Sequence, residues 1–309
     1  MALVKTVTVE EEMKKNPELK KSDLEILREW LKKQPHLPSI SDSELVLFLH
    51  SNYYRIEPTK TTIDVFFTAR THVPEFFSGR DPLGTKELRE IMKLYKSVEI
   101  FPDRCSLPLP STTPEGYKLI FNKLLDYEPS HYVPADALKL FTMVTDLWLT
   151  TEGTSPGHVI IIDVEGFSFG HLPRISLMIV KKLLYYVQEA LPVRLKAIHI
   201  MNTMPFVDMI LNMAKPFMKK ELMDMLHLHN NLNSLSEKVP TDLLPNDQGG
   251  KAGPLKDLWA VQLKELEDHR AWFQNEETRQ VDESARPGKA KNATDLFGFE
   301  GSFKKLDID

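Results

Sequence analysis

Between Ser22 and about Ser97 apolar residues recur three and four positions apart, the spacing of one helical face. Leu24, Leu27 and Leu31 form a stripe behind the capping residues Ser22 and Asp23, and Ser41-x-x-Glu44 is a capping box ahead of the run Leu45 to Leu49. Ile63, Phe66, Phe67 and Arg70 continue the period, and Leu88, Ile91 and Met92 fall in a fourth segment. The pattern predicts a helical N-terminal unit over residues 1–101. From Pro102 to Pro114 four prolines stand in thirteen residues. Proline removes a backbone donor and disfavours helix, so residues 102–115 read as an extended linker.

Beyond the linker the period shortens. Tyr117, Leu119 and Phe121 alternate with polar neighbours, while His158 to Ile162 and Ala197 to Met201 are short, largely β-branched runs of buried-strand type. Met225 to Leu228 is a shorter strand candidate. The helical stretch Ile175, Met178, Leu183, Leu184, Val187 lies between the two long runs, and Pro205 to Lys215 follows the second. A βαβαβ series of this kind predicts an α/β fold with a mixed, partly parallel sheet flanked by helices over residues 116–254. Leu255, Leu258, Trp259, Leu263 and Leu266 predict one more helix in a C-terminal segment, 255–309. There, Asp282 to Thr294 is polar and reads as flexible, and the ending LFGFEGSFKKLDID regains aromatics.

The segment Pro205 to Phe217 stands apart. Phe206, Met209, Ile210, Met213 and Phe217 share one helical face, while Val207, Leu211, Ala214 and Met218 line an adjoining one, leaving only Asp208, Asn212 and Lys215 polar. A helix apolar over most of its circumference is either a central core helix or a movable lid with a ligand on one side and lipid on the other. Methionines at 201, 204, 209, 213 and 218 give it a soft, repackable surface.

Composition narrows the classes. In 309 residues, 39 Lys and Arg stand against 44 Asp and Glu, a net charge of −5 that offers no basic field for nucleic acid. Cys105 is the only cysteine, so neither an intramolecular disulfide nor a thiolate zinc cage is available, and a reducing, cytoplasmic setting is expected. The start MALVKTVTVEEEMKK lacks the apolar core of a signal peptide, and no apolar run reaches the ~20 residues of a spanning helix.

Two motifs invite chemistry. Gly166-Phe-Ser168-Phe-Gly170 matches the nucleophile elbow of serine hydrolases, but Asp163-Val-Glu165 separates it from the apolar strand, and too few strands follow to present an acid and a histidine. A strand-to-helix turn is the preferred reading, and no catalytic residue is assigned. His227-Leu-His229, with His199 on a neighbouring strand, has a spacing compatible with metal ligation, but a third ligand at defined spacing is lacking; hydrogen-bonded structural histidines are preferred, and no metal or cofactor is assigned.

Several blocks together identify a family. Lys123-Leu-Leu-Asp-Tyr-Glu-Pro129, HVIIIDVEGFSFGHL from His158 to Leu172, RLKAIHIMN from Arg194 to Asn202, AKPF from Ala214 to Phe217 and LPNDQGG from Leu244 to Gly250 stand in an order and spacing that resemble the CRAL-TRIO lipid-binding family. Leu24 to about Arg70 resembles that family's N-terminal helices, and EGSFKKLDID is similar to insect members. The resemblance implies an apolar cavity over a mixed sheet, closed by the 205–217 helix as a gate. It places Leu138, Phe141 and Thr145 on a wall helix, His158, Ile160 and Ile162 on the cavity side of one strand and Ile198 on the next. Ile175, Leu183 and Val187 come from the crossover helix, and Phe206, Met209, Ile210, Met213 and Phe217 from the gate. His158 and Thr145 are the candidate polar contacts. Of the basic cluster with which some members bind phosphoinositide headgroups, Arg194 and Lys196 are present, Glu221 and Met225 replace the other two, and Lys219 and Lys220 lie close by. The implied function is non-enzymatic: a cytoplasmic carrier that binds a small hydrophobic ligand, such as a retinoid, tocopherol, carotenoid or other lipid, and touches membranes transiently. The alternative is a phosphoinositide-sensing membrane-trafficking adaptor.

Overall fold

A computed structural model describes residues 4–84 and 104–298. Its N-terminal part, residues 4–84, is helical, with helices Val9–Lys15, Lys21–Leu31, Asp42–Ser51, Ile56–His72 and Pro74–Phe77. Ser41 accepts the Glu44 backbone N–H while the Glu44 carboxylate returns to the Ser41 N–H at 2.8 Å, the reciprocal cap that the sequence announces. Thr8 and Glu11 form a second box before the Val9–Lys15 helix. Ser22 and Asp23 lie inside the Lys21–Leu31 helix, whose N-cap is Lys20. The predicted segment around Leu88, Ile91 and Met92 lies outside the described residues, as does the end of the chain after Gly298.

Residues 104–298 form a mixed α/β unit built on five strands: β1 (Arg104–Pro108), β2 (Lys118–Leu124), β3 (His158–Asp163), β4 (Leu195–Met201) and β5 (Leu226–His229). Their spatial order is their chain order, with β1 antiparallel to β2 and every later pair parallel. The helix Pro134–Glu152 connects β2 to β3, and Leu177–Tyr185 connects β3 to β4. Parallel neighbours need such crossovers, which explains the alternation of texture along the chain.

β1 corrects the linker reading of residues 102–115. An edge strand needs hydrogen bonds on one side only, so it tolerates Pro108 at its end, opposite Ile120. The polar stretch 282–294 is also corrected. Arg286 and Lys291 both reach Asp64 at 2.5 Å, Glu283 holds Arg286 at 2.6 Å and His72 at 3.2 Å, and the segment ends in a helix, Ala293–Phe297. Ion pairs made across more than two hundred residues fasten a stretch that local polarity marks as loose.

Candidate functional site

Alternate side chains of a strand project to opposite faces of the sheet. Val159, Ile161 and Ala197 are buried in the main hydrophobic core with Leu119 and Phe121. Ile160, also part of that core, and Ile162, Ile198 and Ile200 floor an apolar pocket of about 350 Å³. Leu138, Leu140 and Phe141 of the Pro134–Glu152 helix form one wall. Ile179, Val180, Leu183 and Leu184 of the crossover helix form another, with Ile175 before it and Val187 after it. The third wall belongs to the segment after β4, where Val207–Ala214 is α-helix and Lys215–Phe217 a 3₁₀ turn. Pro216 forbids the continuation of regular helix at this point.

Ten of the expected wall residues therefore line the pocket: Leu138, Phe141, Ile160, Ile162, Ile175, Leu183, Val187, Ile198, Phe206 and Ile210. Five do not. Thr145 lies one turn beyond Phe141, and its hydroxyl donates to the Phe141 carbonyl at 2.7 Å. His158 is buried at the start of β3, edge-on to Trp148 at 5.4 Å, so the indole occupies the end of the face where a ligand contact was expected. Both its ring nitrogens lack partners, and burial lowers its pKa to about 3.

The other three belong to the 205–217 segment, Met209 and Met213 on its helix and Phe217 in the 3₁₀ turn that follows. Met209 is 57% exposed, and Met213 and Phe217 pack with the small cluster around Val180, Leu184, Ala214 and Leu222. Val207 and Leu211, expected on the outer side, face the pocket. Phe206 caps the helix with no side-chain bond, while Asn202, at φ 58°, donates to Asp163 and Thr203 to Asn230. The helix presents the stripe 207, 210, 211, 214 inward. Its outer side joins an exposed apolar group, Met204 at 54%, Met209, and Phe169 at 67% exposure. The Phe169 and Phe206 rings lie 5.5 Å apart.

The pocket's polar wall was not read from the sequence. Arg104 and Ser106 of β1, Asn122 and Lys123 of β2 and Asp163 of β3 line it. Lys123 bridges Asp163 at 2.7 Å and Glu165 at 2.5 Å, and Asp163 also accepts from Asn202 at 2.8 Å. Two signals pointed there: Asn122 interrupts the alternation between Ile120 and Leu124, and Arg104 and Ser106 share one parity in a segment too proline-rich to be taken for a strand.

The basic residues divide into two pairs. Arg194 donates to the His50 carbonyl at 2.7 Å with its guanidinium 4.3 Å from the centre of the Tyr53 ring, and Lys196 reaches the Tyr53 hydroxyl at 3.3 Å. Tyr53 and Tyr54 adopt φ values of 53° and 58°, an uncommon conformation for residues with a Cβ. Lys219 pairs with Glu189, and Lys220 with Asp224 at 2.7 Å. Each lysine of this second pair therefore meets an anionic surface already partly compensated.

Ser168 caps the 3₁₀ turn Phe169–Arg174, its backbone N–H donating to His171 Nδ1 at 3.0 Å and its Oγ 3.1 Å from the same nitrogen. His171 Nε2 is buried without a partner, so no carboxylate orients the ring as a catalytic triad requires. His199 Nδ1 lies 2.9 Å from His229 Nε2, and the His199 and His227 rings stack at 5.0 Å. The imidazoles bond and stack on one another, and among the described residues no group of three His, Cys, Asp or Glu side chains is placed to hold a metal ion.

Parts of the chain match known proteins. Residues 106–250 match the family model described as the CRAL/TRIO domain, and residues 16–87 match a Pinta-like UBA domain. The chain is 27% identical over 263 residues to an alpha-tocopherol transfer protein-like protein of Homo sapiens, covering 84% of this chain and 73% of that one. Its Mus musculus counterpart is 28% identical over 264 residues, with 84% and 74% coverage. Clavesin-2 of Homo sapiens is 23% identical over 286 residues, with 90% and 82% coverage.

Proposed function

Because the chain belongs to the CRAL-TRIO family, whose domain contains the floor and the gate segment of the pocket, we propose that it carries one small hydrophobic molecule there and exchanges it at membranes. A retinoid, tocopherol, carotenoid or lipid of similar size is the class of cargo. Relatives named for tocopherol transfer and a family associated with lipid binding support a carrier rather than an enzyme. The single observation that carries the reading is the apolar hollow on one face of a sheet whose other face buries Leu119, Phe121, Val159, Ile161 and Ala197 in the main core. Covering some 400 Å² of apolar cargo surface at ~25 cal/mol per Å² contributes about 10 kcal/mol before the cost of association, enough to retain the cargo in water.

Retention on that scale requires a release step, and the 205–217 segment is its agent. Val207, Ile210 and Leu211 contact the cargo, while Met209, with Met204 and Phe169, faces outward. An apolar outer side is costly in water and favourable in the interfacial region of a bilayer, so membrane contact stabilises a displaced gate. Among the described residues no helix is long and apolar enough to cross a membrane, and the contact we propose is peripheral and transient, made from the cytoplasm. Arg194, Lys196, Lys219 and Lys220 add attraction to anionic lipid.

The test is the transfer of a fluorescent tocopherol from the protein to phosphatidylcholine/phosphatidylserine vesicles. Phe169→Asp with Met209→Asp slows transfer about tenfold at matched occupancy and changes the equilibrium Kd less than about twofold, since neither side chain lines the pocket. Transfer at the parental rate refutes the gate.

A further inference from the structure

The pocket is polar at one corner only, and that corner bears on what the cargo must be, given that the pocket binds cargo as proposed above. One rung of the sheet runs from Ser106 on β1 to Asn122, then Ile162, then Ile200. All four line the pocket. Its floor thus passes from two polar side chains on β1 and β2 to isoleucines on β3 and β4.

The two polar residues are not equivalent. Asn122 Nδ2 donates to the Ile161 carbonyl at 3.3 Å. Ser106 is 2% exposed, and its Oγ has no hydrogen-bond partner. A buried hydroxyl left unpaired is costly, and a ligand oxygen that pairs with it recovers much of that cost. The charges nearby are balanced. Lys123 is held by Asp163 and Glu165, and Arg104, whose Nη1 donates to the Val133 carbonyl at 2.6 Å, has the carboxylates of Asp136 and Asp126 within electrostatic range. A carboxylate head brought to this corner would meet the buried Asp163 without an excess of positive charge to offset it.

We propose that the Ser106 corner selects an amphiphile with one uncharged oxygen head, a hydroxyl or a carbonyl, whose hydrocarbon body extends over Ile162 and Ile200. The head-group preference is set at β1, far along the sheet from the strand that leads into the gate. The hydrocarbon body sets affinity, and the single hydrogen bond sets orientation.

Tritiated 1-hexadecanol, palmitate and hexadecane, each offered from phosphatidylcholine vesicles to the delipidated protein and to its Ser106→Ala variant, separate the outcomes. The variant retains 1-hexadecanol about fivefold less than the parent does, with hexadecane and palmitate unchanged. Its Tm without ligand is no lower than the parent's, because the hydroxyl removed had no partner. Hexadecane retained and 1-hexadecanol unaffected by Ser106→Ala would overturn the head-group inference and leave the carrier reading standing. So would a preference for palmitate, or an equal loss of all three probes. Retention of none of them, with no apolar compound extractable from the natively purified protein, would overturn the carrier reading and this inference with it.

Discussion

The two faces of the sheet share strands, neighbours and composition, yet one is packed and the other hollow. Val159, Ile160 and Ile161 of β3 all lie in the main core, at 4%, 6% and 0% exposure, but only Ile160, with Ile162 beyond it, also lines the pocket. The difference is made by what lies opposite. The packed face is completed by elements such as the Leu255–Asp268 helix, which carries buried Trp259 and Leu263 and packs against β1. The hollow face is spanned by three separate walls whose side chains meet the floor only in part. The same β-branched residue thus fills space in one register and surrounds space in the next, a difference of one residue in a period of two.

The largest expected effect breaks this symmetry directly. In the delipidated protein, Ile161→Ala opens a new void in close-packed surroundings and costs about 3–4 kcal/mol, whereas Ile160→Ala enlarges an existing one and costs about half as much. Urea unfolding midpoints measure both. Equal losses would mean that Ile160 is enclosed as Ile161 is, and the two faces would not differ.

Histidines sharpen the comparison at intermediate size. His158 projects with the hollow-face residues of β3 and His199 from the packed face of β4; their pKa values fall to about 3 and about 4, chiefly through burial and, for His199, also through His229 and His227. His50, under Arg194, falls to about 3 for the same leading reason. Because each folded-state value is below the unfolded one near 6.5, the unfolded chain binds the proton first. Stability is therefore complete above about pH 7 and is lost as the pH falls through 6 toward 4, by about 1 kcal/mol per histidine between pH 7.5 and 5.5. His158→Phe and His199→Phe should each remove part of that slope. At pH 7.5 they diverge: His158 has no hydrogen-bond partner to lose, while removing His199 orphans His229 Nε2 and destabilises by about 1–2 kcal/mol. A pH-independent midpoint in the parent protein would contradict the burial of neutral imidazoles.

The smallest effect on stability is expected at the outer side of the Val207–Ala214 helix. Met209→Asp should move the unfolding midpoint by less than about 0.5 kcal/mol, since Met209 is largely exposed. Its consequence is confined to vesicle transfer. A large destabilisation would place Met209 in a packed interface and remove the contrast between a cargo-facing and a lipid-facing side.

These contrasts also explain what the sequence disclosed. The strand parity was visible in HVIIID, but both parities are apolar, so nothing in the pattern distinguishes the face that packs from the face that is left open; the family resemblance supplied that distinction. The helix of the 205–217 segment is legible in the sequence as an element, but not in its rotational phase. With Val207, Met209, Ile210, Leu211, Met213 and Ala214 all apolar, hydrophobic periodicity leaves its rotation undetermined, and the wall chosen by packing is 207, 210, 211. β1 was hidden because Pro108 and Pro110 mark a break to local reasoning, whereas an edge strand loses little to a proline at its end. The order of 282–294 was hidden because Asp64, which fastens it, stands more than two hundred residues earlier.

The central claim is that the hollow face holds cargo. Mass spectrometry of the organic-solvent extract from natively purified protein, compared with that from Ile160→Trp, tests it most directly. The account predicts one dominant apolar compound near one equivalent per chain in the parent, and its loss from a variant that remains folded because the indole occupies the cargo's volume. An extract with no compound above background, or the same compound at the same level in both proteins, would contradict it.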